Sequence, residues 1–121
     1  MILILGGAGY VGAVLVEALL DQGYAVRVYD REYYNVDDSK FSKKADYVWG
    51  DVRDIHSETF NDIDAVINLS GLSNDPTAEY NPEANKQMNT EATIESAKQA
   101  IKLGIPRYIF ASSCSVYYRD I

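Results

Sequence analysis

The sequence predicts an α/β fold: a doubly wound parallel sheet of five strands in the order 3-2-1-4-5, with helices on both faces. Three observations predict it. Apolar runs of strand length alternate with helix-length connections along the chain. The first run, Ile2-Leu3-Ile4-Leu5, is apolar at every position, as a central parallel strand buried on both faces must be. It runs straight into a glycine cluster, Gly6-Gly7-Ala8-Gly9-Tyr10-Val11-Gly12, and then into a helix-forming stretch. Right-handed crossovers between such strands give the stated order.

In that first unit Gly7, Gly9 and Gly12 fit G-x-G-x-x-G, and Gly6, Gly9 and Gly12 fit G-x-x-G-x-x-G. Such glycines allow a tight turn, the approach of backbone to a pyrophosphate, and close packing of helix on strand. The helix that follows aims its free N–H groups and positive dipole end at the same spot, which favours an anion. It should run from about Tyr10 to Gln22, bury Val11, Val14, Leu15, Ala18 and Leu19, and end at Gly23. The second strand, Ala25–Tyr29, delivers Asp30, which lies 21 residues after Gly9. In a dinucleotide-binding unit an acid about 20 residues on accepts the adenosine ribose hydroxyls. Arg31 follows at once and could meet a 2′-phosphate instead, so NAD is expected ahead of NADP.

Glu32 to Lys44 is polar and reads as a surface loop. Asp46–Trp49 is the third strand, after which Gly50-Asp51-Val52-Arg53-Asp54 turns away. His56, the only histidine, is expected in solvent, and Trp49 in packing. Asp64–Leu69 is the fourth strand, and Ser70 to Pro76 a small polar loop. Asn81-Pro82-Glu83 opens a helix with a capping side chain, a proline at the first helical position and an acid in the first turn. That helix should run to about Leu103, stop at Gly104, and turn Met88, Ala92, Ile94, Ala97 and Ile101 inward. The fifth strand, Arg107–Ala111, leads to Ser112, Ser113, Cys114 and Ser115. Ligands of such sheets bind beyond the carboxyl ends of the strands, at the switch between strands one and four. The Gly6–Gly12 turn, Asp30, Asp51, Leu69–Ser73 and Ser112–Ser115 should therefore gather on one edge.

The 121 residues fit one domain, 1–121, and 47% hydrophobic residues suffice for a core. The net charge is −7, from 11 basic and 18 acidic residues, which argues against nucleic acid or an anionic membrane as partner. It does not argue against a phosphate ligand at a helix N-terminus. A single cysteine, Cys114, cannot form an internal disulfide, which fits a reducing cytoplasm. No apolar run approaches the ~18 residues that read as a membrane span.

Taken together, Gly6–Gly12, Asp30, Gly50–Asp54, Val66-Ile67-Asn68-Leu69-Ser70-Gly71, Asn89 and Ala111–Tyr117 resemble the N-terminal part of an extended short-chain dehydrogenase/reductase. The type resembled is the NAD-dependent epimerase/dehydratase acting on sugar nucleotides, built on a Rossmann fold. The resemblance implies that Gly6, Gly7, Gly9, Tyr10, Val11 and Gly12 form the pyrophosphate turn. It implies that Asp51 and Val52 contact adenine, and that Leu69, Ser70 and Gly71 line the nicotinamide side. It counts Asn89, near the active site, and Ser112 among the cofactor-binding residues and makes Ser113 the catalytic hydroxyl. Residue chemistry alone does not choose Ser113 over Ser112 or Ser115.

Three departures stand out. Leu5 occupies a position that is often Thr, and Tyr118 one that is usually Gly. No tyrosine here has a lysine four residues later, the pair that supplies the family's general base. The chain is thus expected to be a truncated NAD-binding half, inactive alone, whose intact parent takes a nucleotide sugar. Its fifth strand, left as a bare edge, predicts self-association. The alternative is a non-catalytic dinucleotide-binding or redox-sensing module on the same fold.

Overall fold

The computed structural model describes residues 1–31, 44–71, 81–113 and 117. The expected loop over 32–43, the loop residues 72–76, and Cys114, Ser115, Val116 and Tyr118 lie outside the described residues. Strand β1 (Ile2–Leu5) is the centre of the molecule, because its side chains have no polar face to offer water. Leu3 and Ile4 are completely buried, each worth roughly 1.5–3 kcal/mol of apolar transfer. β1 is flanked by β2 (Val26–Asp30) and β4 (Ala65–Asn68), and outside these lie β3 (Asp46–Trp49) and β5 (Arg107–Phe110). All four pairings are parallel, and the order is β3-β2-β1-β4-β5, as expected.

Alternation along the strands divides the core in two. Ile4, Val26 and Val28 meet helix α1 (Tyr10–Asp21) through Val16, Leu15 and Leu19. Leu3, Leu5, Tyr29 and Val66 meet Ile55, Phe60, Ile63 and Ala100 on the other face. Two short 3₁₀ turns, Val52–Asp54 and Ser57–Phe60, carry part of that second layer. The rest comes from an unbroken helical run made of α2 (Pro82–Lys86), a π-helical turn (Gln87–Glu91) and α3 (Ala92–Lys102). Among the described residues no helix is long and apolar enough to cross a membrane.

The helix ends follow from their residues. Asn81 caps α2, its side-chain oxygen accepting the Ala84 N–H at 3.1 Å, with Pro82 at the first turn. Gly23 ends α1 at φ +88°, with Gly23 N–H donating to Leu20 and Tyr24 N–H to Leu19. Gly104 ends α3 the same way, at φ +74°, with Gly104 N–H on Ile101 and Ile105 N–H on Ala100. Both are the paired C-terminal bonds that a left-handed residue allows.

Two expected helix faces are corrected. On α1, Gly12 and Val16 are buried, whereas Val11 and Val14 are 63% and 66% exposed and Ala18 is also exposed. On α3, Ala92, Ser96 and Ala100 are buried, whereas Ile94 and Ile101 are 50% and 77% exposed and Ala97 is half-buried. On α3 the buried line is made of small residues, and on α1 it is Gly12 and Val16 with Leu15 and Leu19 half-buried beside them, while the remaining large apolar residues stand to one side.

Candidate functional site

At the carboxyl end of the sheet the chain leaves a cleft of about 320 Å³, between the ends of β1, β2, β3 and β4. Gly6, Gly9, Tyr10, Val11 and Gly12 wall it from α1's side. Asp30, Arg31, Gly50, Asp51 and Val52 wall one end, and Leu69, Ser70, Gly71 and Met88 the other. Segments far apart in sequence meet here because a parallel sheet sends every βα connection to one edge.

Each glycine of the turn has a different constraint. Gly6 has φ +78°, and a Cβ on it would stand 2.8 Å from the Ser70 nitrogen, so the β1 and β4 loops touch through backbone. A Cβ on Gly12 would lie 2.6 Å from the Gly7 backbone, which fixes how closely α1 sits on the turn. Gly7 is buried against Ile4 and Val28, behind the cleft and not on its wall. Gly9 is different. Its φ of −75° is open to any residue, and a Cβ there would meet only the Gly6 carbonyl oxygen, at an ordinary 3.5 Å. Nothing among the described residues asks for glycine at position 9. Gly9 is also the N-cap of α1, with no side-chain cap and no acid in the first helical turn, so no residue of the helix itself offsets its dipole end at the cleft.

Asp30 braces this turn. Its Oδ2 accepts the Ala8 N–H at 2.8 Å and its Oδ1 accepts the Arg31 N–H at 2.6 Å. Burial raises the Asp30 pKa above the ordinary carboxylate value, and the two backbone N–H groups act against that rise. A carboxylate offers about four lone-pair sites, so two such bonds leave capacity for hydroxyl donors. Asp51 has the opposite shift: the Arg53 side chain, then its backbone N–H and the charges of Arg53 and Arg31, hold its pKa at about 2. The Tyr29 hydroxyl donates to the Asp51 carbonyl at 2.9 Å, and Gly50 packs directly on that ring.

Opposite, Asn68 is 1% exposed and fully bonded. Its Oδ1 accepts the Ser70 N–H at 2.9 Å and the Ser70 hydroxyl at 2.6 Å. Its Nδ2 donates to the Tyr108 hydroxyl at 2.9 Å and to Thr93 Oγ1 at 3.3 Å. Ser96 and Tyr108 share a hydroxyl contact at 2.7 Å, and Thr93 Oγ1 donates to the Asn89 carbonyl at 3.1 Å. Asn89 lies in the π-turn, with Nδ2 on Asn85 Oδ1 at 2.5 Å. A Cβ on Gly71, at φ +139°, would fall 2.2 Å from Asn89 Oδ1. The 69–71 loop is therefore clamped from β4, β5 and the π-turn at once.

Of the residues expected from sequence, Gly6, Gly9, Tyr10, Val11, Gly12, Asp30, Arg31, Asp51, Val52, Leu69, Ser70 and Gly71 line one cleft. Asn89 reaches it through Gly71. Ser112 and Ser113 are exposed beyond β5 and are not on its wall. His56 is exposed and also off that wall, and Trp49, 44% exposed, stacks on Tyr47 at 5.7 Å. Three contributors have no site role in the sequence reading. Gly50 stands there only within the Gly50–Asp54 motif. Met88 reads as core, which it also is at 7% exposure. Asn68 stands there within a strand and the Val66–Gly71 motif, with no role of its own. A polar residue at an otherwise apolar strand end is the available signal.

Residues 2–120 match the sequence model of the NAD dependent epimerase/dehydratase family. A UDP-glucose 4-epimerase of Erwinia amylovora is 32% identical over 98% of this chain and 38% of its own length. The crystal structure of a UDP-glucose 4-epimerase superposes with a TM-score of 0.84 at 26% identity, covering 96% of this chain and 36% of that one. The Thermus thermophilus UDP-glucose 4-epimerase in complex with NAD shares the fold, with a TM-score of 0.80 at 23% identity over 93% of this chain and 37% of that one. The chain thus spans less than two fifths of the length of these three proteins.

Proposed function

Because the chain belongs to the NAD-dependent epimerase/dehydratase family, we propose that residues 1–121 form the NAD-binding part of an enzyme acting on a nucleotide sugar. The observation that carries this reading is Gly9. It is a glycine without a steric or conformational reason among the described residues, placed at an uncapped helix N-terminus in a cleft. A pyrophosphate that approaches the backbone supplies the missing reason. In this reading the N–H groups at the start of α1 hold the pyrophosphate, and Asp30 accepts from the adenosine ribose. Val52 and Asp51 border the adenine, and Leu69, Ser70 and Gly71 border the nicotinamide ribose. Met88 and the clamped 69–71 loop keep that end apolar and fixed. Bound NAD supplies the hydride acceptor.

Calorimetry with NAD tests this on the wild type, Gly9→Val and Gly12→Ala. Valine fits the Gly9 backbone, so Gly9→Val should keep stability within about 1 kcal/mol, the scale of an N-cap change, and lose NAD binding. Gly12→Ala forces a Cβ into backbone that cannot swing away, and should destabilise the fold by roughly 1–3 kcal/mol less any helix-propensity gain. Equal NAD affinity for the wild type and Gly9→Val refutes the reading.

We assign Ser113 to the reacting hydroxyl, and expect no turnover from these 121 residues alone. A serine hydroxyl is a poor base near neutral pH, and proton removal needs a group whose pKa lies near the working pH. Incubation of this chain with NAD and nucleotide sugars should therefore give no NADH absorbance. A signal above that of Ser113→Ala would place a base within these residues or on a second copy.

A further inference from the structure

NADP differs from NAD by a 2′-phosphate on the adenosine ribose, and an arginine near the end of the second strand is the group that accommodates it. Arg31 occupies that position, directly after Asp30. It reaches from the end of β2 to the segment after β3, where its Nη1 lies 3.2 Å from Asp51 Oδ2. Its backbone N–H is meanwhile held on Asp30 Oδ1. The acceptor is not a loose surface acid. Arg53 grips Asp51 with its backbone N–H at 2.9 Å and with Nη2 at 2.6 Å, and Tyr29 anchors the Asp51 carbonyl. Arg31 and Asp51 line the same cleft as Asp30.

We infer that Asp51 is a cofactor-specificity residue: it holds the Arg31 guanidinium in an ion pair across the adenine end of the cleft and so withdraws it from a 2′-phosphate. This rests on the reading that the cleft takes a dinucleotide. Asp30 then sets the preference, because a carboxylate accepts from ribose hydroxyls and repels a phosphate. Arg31 and Asp51 are both partly exposed, at 46% and 27%, and pairs of that kind add little to stability. The arrangement is therefore understood better as a control on charge at the ribose than as a support of the fold.

The test is the ratio of NADP to NAD dissociation constants, measured by calorimetry on the wild type, Asp51→Asn, Arg31→Ala and the double variant. Asp51→Asn keeps the shape and removes the negative charge that both Arg31 and Arg53 face. Any loss of adenine contact weakens both cofactors equally and cancels in the ratio. The wild type should prefer NAD. Asp51→Asn should move the ratio toward NADP by about tenfold, the scale of one charge-assisted bond to phosphate. The shift should vanish in the double variant, and Arg31→Ala alone should leave the ratio near that of the wild type. An unchanged ratio in Asp51→Asn overturns the inference while NAD binding stands. A shift that persists without Arg31, or a loss of NADP affinity in Arg31→Ala alone, also overturns it. Failure of the wild type to bind either cofactor removes the dinucleotide reading itself.

Discussion

Replacing Asn68 with leucine tests whether the 68–70 turn is held by its buried polar network. Leucine has the same branching as asparagine, so the main change is in hydrogen bonding, with its bulkier methyl groups adding some overpacking. Four side-chain bonds disappear, two to Ser70, one to Tyr108 and one long one to Thr93. The partners do not suffer equally. Tyr108 keeps Ser96, and Thr93 keeps the Asn89 carbonyl. The Ser70 hydroxyl can turn to the open cleft. The Ser70 N–H, pressed beneath Gly6, is left facing an apolar side chain. A net ~1 kcal/mol per lost bond, plus ~1–3 kcal/mol for one stranded donor, less the ~1.5–3 kcal/mol apolar gain of a buried leucine, leaves a destabilisation of about 2–5 kcal/mol. Tyr108→Phe, which removes only the hydroxyl at the far side of the network, should cost about 1 kcal/mol. Urea unfolding followed by circular dichroism resolves the two, since with slopes of ~1–3 kcal/mol/M the leucine variant should lose roughly 1–3 M in midpoint. A leucine variant within about 0.5 kcal/mol of the wild type would refute the reasoning, because it would show that the turn needs no clamp. Equal losses in both variants would place the stability in the β5 packing instead.

Two further expectations concern acid and association. The Asp51 pKa of about 2 lies below its unfolded value, so its contribution is present above pH ~4 and is lost as pH falls through about 2. Asp51→Asn should flatten the stability profile in that window, and an unchanged slope would mean that the Arg53 contact does not persist in solution. The raised pKa of Asp30 acts in the opposite sense, favouring the folded state when Asp30 is protonated, and should survive in the Asp51 variant. Among the described residues β5 is an edge strand, with Ile109 55% and Phe110 48% exposed, so the chain should self-associate as concentration rises. Light scattering should show this, and Ile109→Lys should suppress it. A monomer at all concentrations would count against edge pairing.

What can be read from the sequence divides along physical lines. The strands and their order are legible because an all-apolar β1 and glycine punctuation leave few alternatives. The cleft is legible for the same reason, since topology sends the ends of β1 to β4 to one edge whatever the side chains are. The helix faces are not. Val11, Val14, Ile94 and Ile101 have the spacing and size of core residues, yet the residues buried on the two helices are Gly12, Val16, Ala92, Ser96 and Ala100. Periodicity counts large apolar residues and cannot see that close backbone approach selects small ones. The Asn68 network is hidden for another reason. Its members lie on β4, α3 and β5, so no local window contains the pattern.

The π-turn at Gln87–Glu91 has one more consequence. A π-turn holds one residue more than the α-helical turn it replaces, and each helical residue advances the chain by about 100°. It therefore acts as a phase shifter inside a single rod. Downstream, Ser96 and Ala100 are set by the sheet. Within the turn itself, Met88 and Asn89 are set by the cleft and by Gly71. In a uniform α-helix both sets would follow one angular origin. The extra residue of the wide turn moves the cleft-facing residues off that origin by up to about 100°, while the sheet-facing half stays in register. The cleft-facing residues thus have an angular setting different from that of the sheet-facing half of the same rod.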